Sequence, residues 1–432
     1  MITRVHIQGY KTLRDVEVRF RPLTVVLGPN SAGKSNLHDA LALLARMATV
    51  PNLNAAFEDH RGSPVEAFSF GEAGLADLLA RDSARFTIEA DIELSDAVVQ
   101  SVEDQVRRAR EGLPDASSRE PRPSITERRL RYGVTIEIRT ASGHLRVMDE
   151  SLRALRVDGQ PRESRRPFLE RTNGRIHLRM EKQAHPVYEE VGQDRTIVSK
   201  GLYPPHYPHV TALREELSRW RFYYLEPTAM REEVPLREVP SLNARGTNIA
   251  AFFSSLKATR PRQFEAIAQA LQQVIPSLHG IDVQRTKEGF VRLMVSEQGM
   301  PLSARIASEG TLRVLALLAI TNPLSPISVV GYEEPENGVH PRRLAVVADL
   351  LRNAARRGET QFLINTHSPV LPEFFESDPR SVLLRCYRDG RATRFDEFMP
   401  SGPLLRETEI ADALDEAETP LRDKVVRGDL GG

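Results

Sequence analysis

The feature that most narrows what this chain can be is the octapeptide Gly28-Pro29-Asn30-Ser31-Ala32-Gly33-Lys34-Ser35. It fits GxxxxGK[ST] at every fixed position. Its surroundings matter as much as its letters. Leu23-Thr24-Val25-Val26-Leu27 before it is a continuous β-branched and aliphatic run, as a central buried strand requires. Leu37, Leu41, Leu44 and Met47 after it recur at helical spacing. Between a strand and a helix, consecutive backbone N–H groups of such a loop point inward and cradle phosphate oxygens. The helix N-terminus adds about half a positive charge. Gly28 and Gly33 permit close backbone approach, Lys34 is expected to reach the β and γ phosphates, and Ser35 to offer its hydroxyl to Mg²⁺.

A second station lies 300 residues later. Ile327-Ser328-Val329-Val330-Gly331-Tyr332 reads as a buried strand and ends in Glu333-Glu334-Pro335-Glu336-Asn337. A hydrophobic strand that delivers carboxylates at its C-terminal edge is how a phosphate-loop enzyme holds Mg²⁺ and activates water. Glu333 is the expected magnesium residue and Glu334 the expected general base. Side chains alternate along a strand, so adjacent carboxylates need not compete for one place. Ser308-Glu309-Gly310-Thr311 precedes an apolar helix expected over 311–320, and a hydroxyl with a glycine at a helix start forms an anion site by the same dipole logic. Serine is also a common helix cap, so its place 26 residues before Glu334 gives it weight. Thr366-His367-Ser368-Pro369 follows another apolar strand, 361–365, and makes His367 a functional candidate.

These four stations, in this order, make the chain resemble the ATP-binding-cassette-type heads of the SMC, RecF and OLD ATPases. Ile7-Gln8-Gly9-Tyr10-Lys11-Thr12-Leu13 through Gly28–Ser35 and Asn36 looks like their N-terminal lobe, and Glu333 through Pro341 like their extended Walker B. Within the group the chain is most similar to the compact predicted ATPases of the AAA-family class, whose segment around Arg221–Arg231 it shares in part. The resemblance covers about 1–50 and 220–375. It implies an α/β P-loop NTPase fold: an ABC-type head with a mostly parallel sheet covered by helices, an antiparallel β-containing lobe and an inserted α+β segment. It implies ATP and Mg²⁺ as cofactors and an ATP-sandwich homodimer. Nucleotide held by Gly28, Pro29, Asn30, Ser31, Ala32, Gly33, Lys34, Ser35 and Asn36 of one subunit would be capped by Ser308 and Gly310 of the other. His367 would sense the γ phosphate, and Lys11 and Thr12 would lie near the nucleotide.

Three departures stand out. The magnesium aspartate of many relatives is Glu333 here, one methylene longer. No Q-loop glutamine is assignable. The signature reads Ser-Glu-Gly, not the Ser-Gly-Gly of transporter subunits. SMC-like coiled coils have no room in the chain, because the helix expected over 95–110 is too short and lacks heptads. Only 57 residues follow position 375, fewer than a metal-dependent Toprim domain needs, so any cleavage of nucleic acid falls to another polypeptide.

Charge bears on the partner. Lys+Arg and Asp+Glu are both 59, so a globally basic nucleic-acid footprint is absent. Residues 101–180 carry 18 Arg against 12 Asp+Glu, and residues 401–432 carry 4 basic against 8 acidic. The arginine excess fits phosphate contact by guanidinium forks, with Arg165 and Arg166 as candidates, or a solvated face in a chain of GC-rich codon usage. The expected partners are therefore a second copy, DNA, and a separate nuclease or toxin, with no membrane. The alternative reading is a nucleotide-gated module that restrains such a toxin or nuclease with little turnover. One cysteine, Cys386, excludes an intrachain disulfide and a cysteine-based zinc site. Together with the lack of a signal-like segment and of a long apolar run, that points to the cytoplasm. The expected organisation is head over 1–60, inserted lobe over 61–240, head again over 241–400 and an acidic tail over 401–432.

Overall fold

The computed structural model describes residues 1–111, 123–181, 186–297 and 299–398. The expected acidic tail and most of the loop expected over 112–124 lie outside the described residues. Two compact units emerge. Of the described residues, the first comprises those in Met1–Phe20, Ser31–Trp220 and Cys386–Phe395, the second Arg21–Asn30, Arg221–Arg385 and 396–398. Both the N-terminal piece and the inserted lobe thus contribute to the first unit. The chain changes unit inside the phosphate loop, between Asn30 and Ser31.

The first unit is built on an eight-stranded antiparallel sheet. Its order is Leu13–Arg19, Ile2–Tyr10, Ser83–Glu93, Arg129–Arg139, His144–Ala154, Leu169–Thr172, Arg175–Leu178 and Val187–Glu190. The alternation around 86–94 and 131–140 predicts two short strands; they are 11 residues each and stand third and fourth in the sheet. Alternation sends Ile88, Ala90, Ile92, Val134, Ile136 and Leu152 inward. The opposite face is charged, and neighbouring strands bring opposite signs together. Arg131 grips Asp91 through two bonds of 2.6 and 2.7 Å, Arg4 lies 2.9 Å from both Glu17 and Glu89, and Glu137 sits between Arg85 and Arg146. Helix Asp96–Arg110 packs on helix Pro208–Ser218.

The second unit holds the parallel sheet that the sequence implied. Within this unit the order is Val329–Glu333, Gln361–Thr366, Leu23–Leu27 and Ser381 to Arg385. Val329–Glu333, Gln361–Thr366, Leu23–Leu27 and Ser381 to Arg385 pair in parallel. Tyr332, Ile364, Val25 and Leu383 form one cross-strand row, and all belong to a core that includes Phe252, Phe253, Leu312 and Leu315. The adjoining row, Glu333, Asn365, Val26 and Leu384, faces the other way. The expected helices appear as Ile249–Thr259, Pro261–Val274, Glu309–Ile320 and Leu344–Arg356, the last preceded by a tight turn at Pro341–Arg343. The antiparallel hairpin Leu278–Arg285 and Phe290–Glu297 was passed over in the sequence. Its signal is there, in the alternation of Val291, Leu293 and Val295 after Gly289.

One buried carboxyl supports the first unit. Glu150 is fully buried and accepts bonds from Ile197 N (2.6 Å), Val198 N (3.1 Å) and Tyr132 Oη (3.0 Å). Burial pushes its pKa up to about 7, against the pull of these donors. Its folded value exceeds its unfolded one, so the stability that it contributes is whole below about pH 4.5. That stability is lost as pH rises through 7. Thermal unfolding of Glu150→Gln and wild type from pH 4.5 to 8 should show the variant gaining on wild type by roughly 3 kcal/mol. A pH-independent difference would refute the assignment.

Candidate nucleotide site

The strand Leu23–Leu27 is buried throughout, flanked in parallel by Gln361–Thr366 and the strand from Ser381. Leu27 pairs with Thr366, and Glu333 pairs with Asn365. This register brings Gly28, Pro29 and Asn30, the carboxylates Glu333 and Glu334, and His367 to one carboxyl edge of one sheet in the second unit. Ligands of open parallel sheets bind at that edge.

In the first unit the loop continues through Ser31, at φ 64°, to Gly33, at φ 108°. Gly33 caps helix Lys34–Met47 with no side-chain bond and with no acidic residue in the first turn, so nothing in that turn neutralises the positive helix end. A Cβ on Gly33 would fall 2.1 Å from Thr393 Oγ1 and 2.9 Å from Thr12 Oγ1. Thr393, fully buried, donates to Ala32 O (2.8 Å), its hydroxyl lies 2.6 Å from that of Thr12, and Asn36 Nδ2 donates to Thr12 Oγ1 at 2.7 Å. A Thr–Thr–Asn brace therefore fixes the loop from beneath. Of these, Thr393 was missed by sequence reasoning, since nothing local marks it. Lys34 is buried. The Lys11 ammonium, expected near the nucleotide, pairs with Asp39 at 2.7 Å and donates to Arg61 O.

At the carboxylates, Glu333 ends its strand and Glu334 turns out of it at φ 51°. A non-glycine residue there costs about 1–3 kcal/mol, a strain that clusters at functional sites. Glu334 N donates to Asn365 O at 2.8 Å. Its carboxylate accepts from Asn337 Nδ2 and lies 3.1 Å from His367 Nε2. Glu336 holds the histidine loop. Its Oε1 accepts from Thr366 Oγ1 (2.5 Å), His367 N (3.1 Å) and Ser368 N (3.1 Å). Sequence reasoning singled out neither Glu336 nor Asn337, although both stand in the acidic pentapeptide.

The signature turn lies in the second unit too. Ser308 caps helix Glu309–Ile320 by accepting from Thr311 N at 3.1 Å. A Cβ on Gly310 would come within 2.0 Å of Gly338 O, just after the acidic strand. The two backbones meet with no side chain between them.

Among the described residues no cluster of three or more His, Cys, Asp or Glu side chains could hold a metal ion. That suits Mg²⁺ brought by a nucleotide: it keeps several waters and takes one or two protein ligands plus substrate phosphates.

Fold, phosphate loop and paired carboxylates define a P-loop ATP-binding protein with an SMC-like ATPase head. The chain belongs to the family described as "AAA domain, putative AbiEii toxin, Type IV TA system", whose model matches residues 23–372. Among solved structures it is similar to an Smc head bound to the C-winged helix domain of ScpA, with TM-score 0.50, 13% identity, and 93% of this chain and 98% of that one covered. A similar match is the Pyrococcus furiosus Smc head domain with an extended coiled coil bound to the C-terminal domain of ScpA. There the TM-score is 0.50 and the identity 11%, over 96% of this chain and 99% of that one. At these identities the likeness is one of fold. No curated protein matches the sequence. No described helix is long and apolar enough to cross a membrane.

The three donors on Glu336 yield a prediction. Replacing Glu336 by Gln keeps the shape and removes the charge that they share. Denaturant unfolding should register a loss of about 1–3 kcal/mol. An unchanged midpoint would mean that the histidine loop is held by something else.

Proposed function

We propose that this protein is a Mg²⁺-dependent ATPase that closes into an ATP-sandwich homodimer and drives a separate effector in DNA repair or anti-phage defence. The observation that carries the reading is Glu334, held out of its strand in a strained conformation between His367 and Asn337, at the edge where the phosphate-loop strand also ends. A structural carboxylate would not need that conformation.

In this reading the backbone N–H groups of the loop after Pro29, from Asn30 to Ser35, together with Lys34, bind the phosphates, and Ser35 and Glu333 hold Mg²⁺. The metal offsets charge that builds on the β and γ phosphates. Glu334 takes the proton of the attacking water on its carboxylate. His367, fixed by Glu336, orients that carboxylate and meets the γ phosphate. Ser308 accepts from Thr311 N and its hydroxyl lies 2.8 Å from that of Thr311; with Thr311 as the donor of that pair, Ser308 can give its own proton to a phosphate of the partner's nucleotide. Replacing Glu334 by Gln should cut turnover by about 10²–10⁴-fold while sparing ATP affinity. The same variant with Mg²⁺ and ATP should double its mass in solution. Full turnover would remove Glu334 from the chemistry; an unchanged mass would mean either that Ser308 does not reach the partner's nucleotide or that the dimer is constitutive, which a crosslink across Ser308 decides.

The arginine-rich region supports an effector more than a DNA surface. At least nine of its arginines lie within ion-pair distance of a carboxylate. Arg165, one of the two candidate DNA contacts, is 2.5 Å from Glu181, donates to Thr126 and stacks over Phe168. We expect DNA binding with ATP to stay in the non-specific range of about 10⁻⁴–10⁻⁶ M. A log–log salt slope of about −3 or steeper would restore a DNA interface, since it reports three or more neutralised phosphates.

A second reading is a nucleotide-gated restraint on a toxin or nuclease with little turnover. The family's description, which names a toxin of a type IV system, favours it. Under that reading Lys34→Ala, which weakens ATP binding, releases the partner, whereas Glu334→Gln does not.

A further inference from the structure

We propose that the side-chain amide of Asn365 is a positioning residue for the Mg²⁺-bound nucleotide. This rests on the ATPase reading above and adds a residue that none of the four sequence stations contains.

Asn365 is 2% exposed. Neither its Oδ1 nor its Nδ2 has a hydrogen-bond partner among the described residues. Its backbone oxygen is engaged, by Glu334 N at 2.8 Å, so the residue is fixed while its amide is idle. A buried amide that only filled space would be replaced at a gain by an apolar side chain of the same size, because two donors and an acceptor left unbonded are costly. Buried polar side chains are bonded in the large majority of cases, and each exception calls for an explanation.

The position supplies one. Asn365 lies in the row Glu333, Asn365 and Val26, on the strand between the acidic strand and the phosphate-loop strand. Strands in a sheet are about 4.8 Å apart, so Glu333 and Asn365 are direct lateral neighbours. The row faces away from the unit's apolar core, which takes Tyr332, Ile364 and Val25 instead. The next residues of the three strands are Glu334, Thr366 and Leu27, after which the catalytic loops begin. The amide is thus held beside the magnesium residue, one step inside the edge.

A neutral amide suits this place. Mg²⁺ keeps several waters, and each presents protons that need acceptors. Oδ1 is such an acceptor, and Nδ2 can donate to the Glu333 carboxylate or to a phosphate oxygen. A third carboxylate would do only the first and would add charge.

The test compares wild type with Asn365→Leu, which keeps the size and removes both polar atoms. A fluorescent ATP analogue is titrated with Mg²⁺ and, separately, with EDTA, and nucleotide-free protein is melted. We expect the variant to lose about tenfold or more in affinity with Mg²⁺, the scale of one hydrogen bond to a charged group. With EDTA its affinity should stay within about twofold of wild type, and its nucleotide-free melting temperature should be equal or higher. Wild-type affinity with Mg²⁺ would overturn the proposal. So would an equal loss in both arms, which marks a distorted loop, or a lower melting temperature, which marks an internal partner for the amide. Wild-type protein that binds the analogue in neither arm would bring down the ATPase reading itself, and the proposal with it.

Discussion

The parallel register of three strands is the constraint on which the rest depends. Leu27 beside Thr366, and Asn365 beside Glu333, means that three chain segments, one of them over 300 residues from the other two, leave the sheet at one level. No single contact at the edge is strong. Glu334, His367, Glu336 and Asn337 work together because the backbone ladder beneath them admits no slip: a shift of one residue would send Glu333 and Asn365 into the apolar core and bring Tyr332 out.

The sequence made much of this legible, and the reason is local. A phosphate loop needs glycine where the backbone turns, a buried strand before it and a helix after it, and all three appear within 25 consecutive residues. Leu23–Leu27 and Lys34–Met47 formed where expected, and the acidic strand runs one residue past the expected end to include Glu333. What was hidden is non-local. Thr393 reaches the loop from more than 350 residues away, and no pattern in its neighbourhood says so. Glu336 was in plain view beside Glu333 and Glu334, yet its bonds go to Thr366, His367 and Ser368, 30 residues and more further on. The eight-stranded sheet was seen only as scattered short strands, because its charged face gives strict alternation few apolar landmarks.

That charged face also shows how a local excess can vanish on folding. Along the chain, 101–180 carries six more arginines than carboxylates. In the sheet some of those arginines meet acidic residues from outside the segment, Arg131 with Asp91 and Arg129 with Glu93. A field that would steer a polyanion needs unpaired charge of one sign, and opposite charges interleaved at under 4 Å cancel over a Debye length of about 10 Å.

The contact between Gly310 and Gly338 has a consequence for how this protein would diverge. Two bare backbones touching leave neither site able to accept a side chain unless the other segment withdraws. A descendant that had lost all interest in ATP would still keep both glycines for packing alone. The persistence of glycine in the signature turn among such descendants would then record an architectural debt, and Ser308, which caps its helix, could drift only among other capping residues.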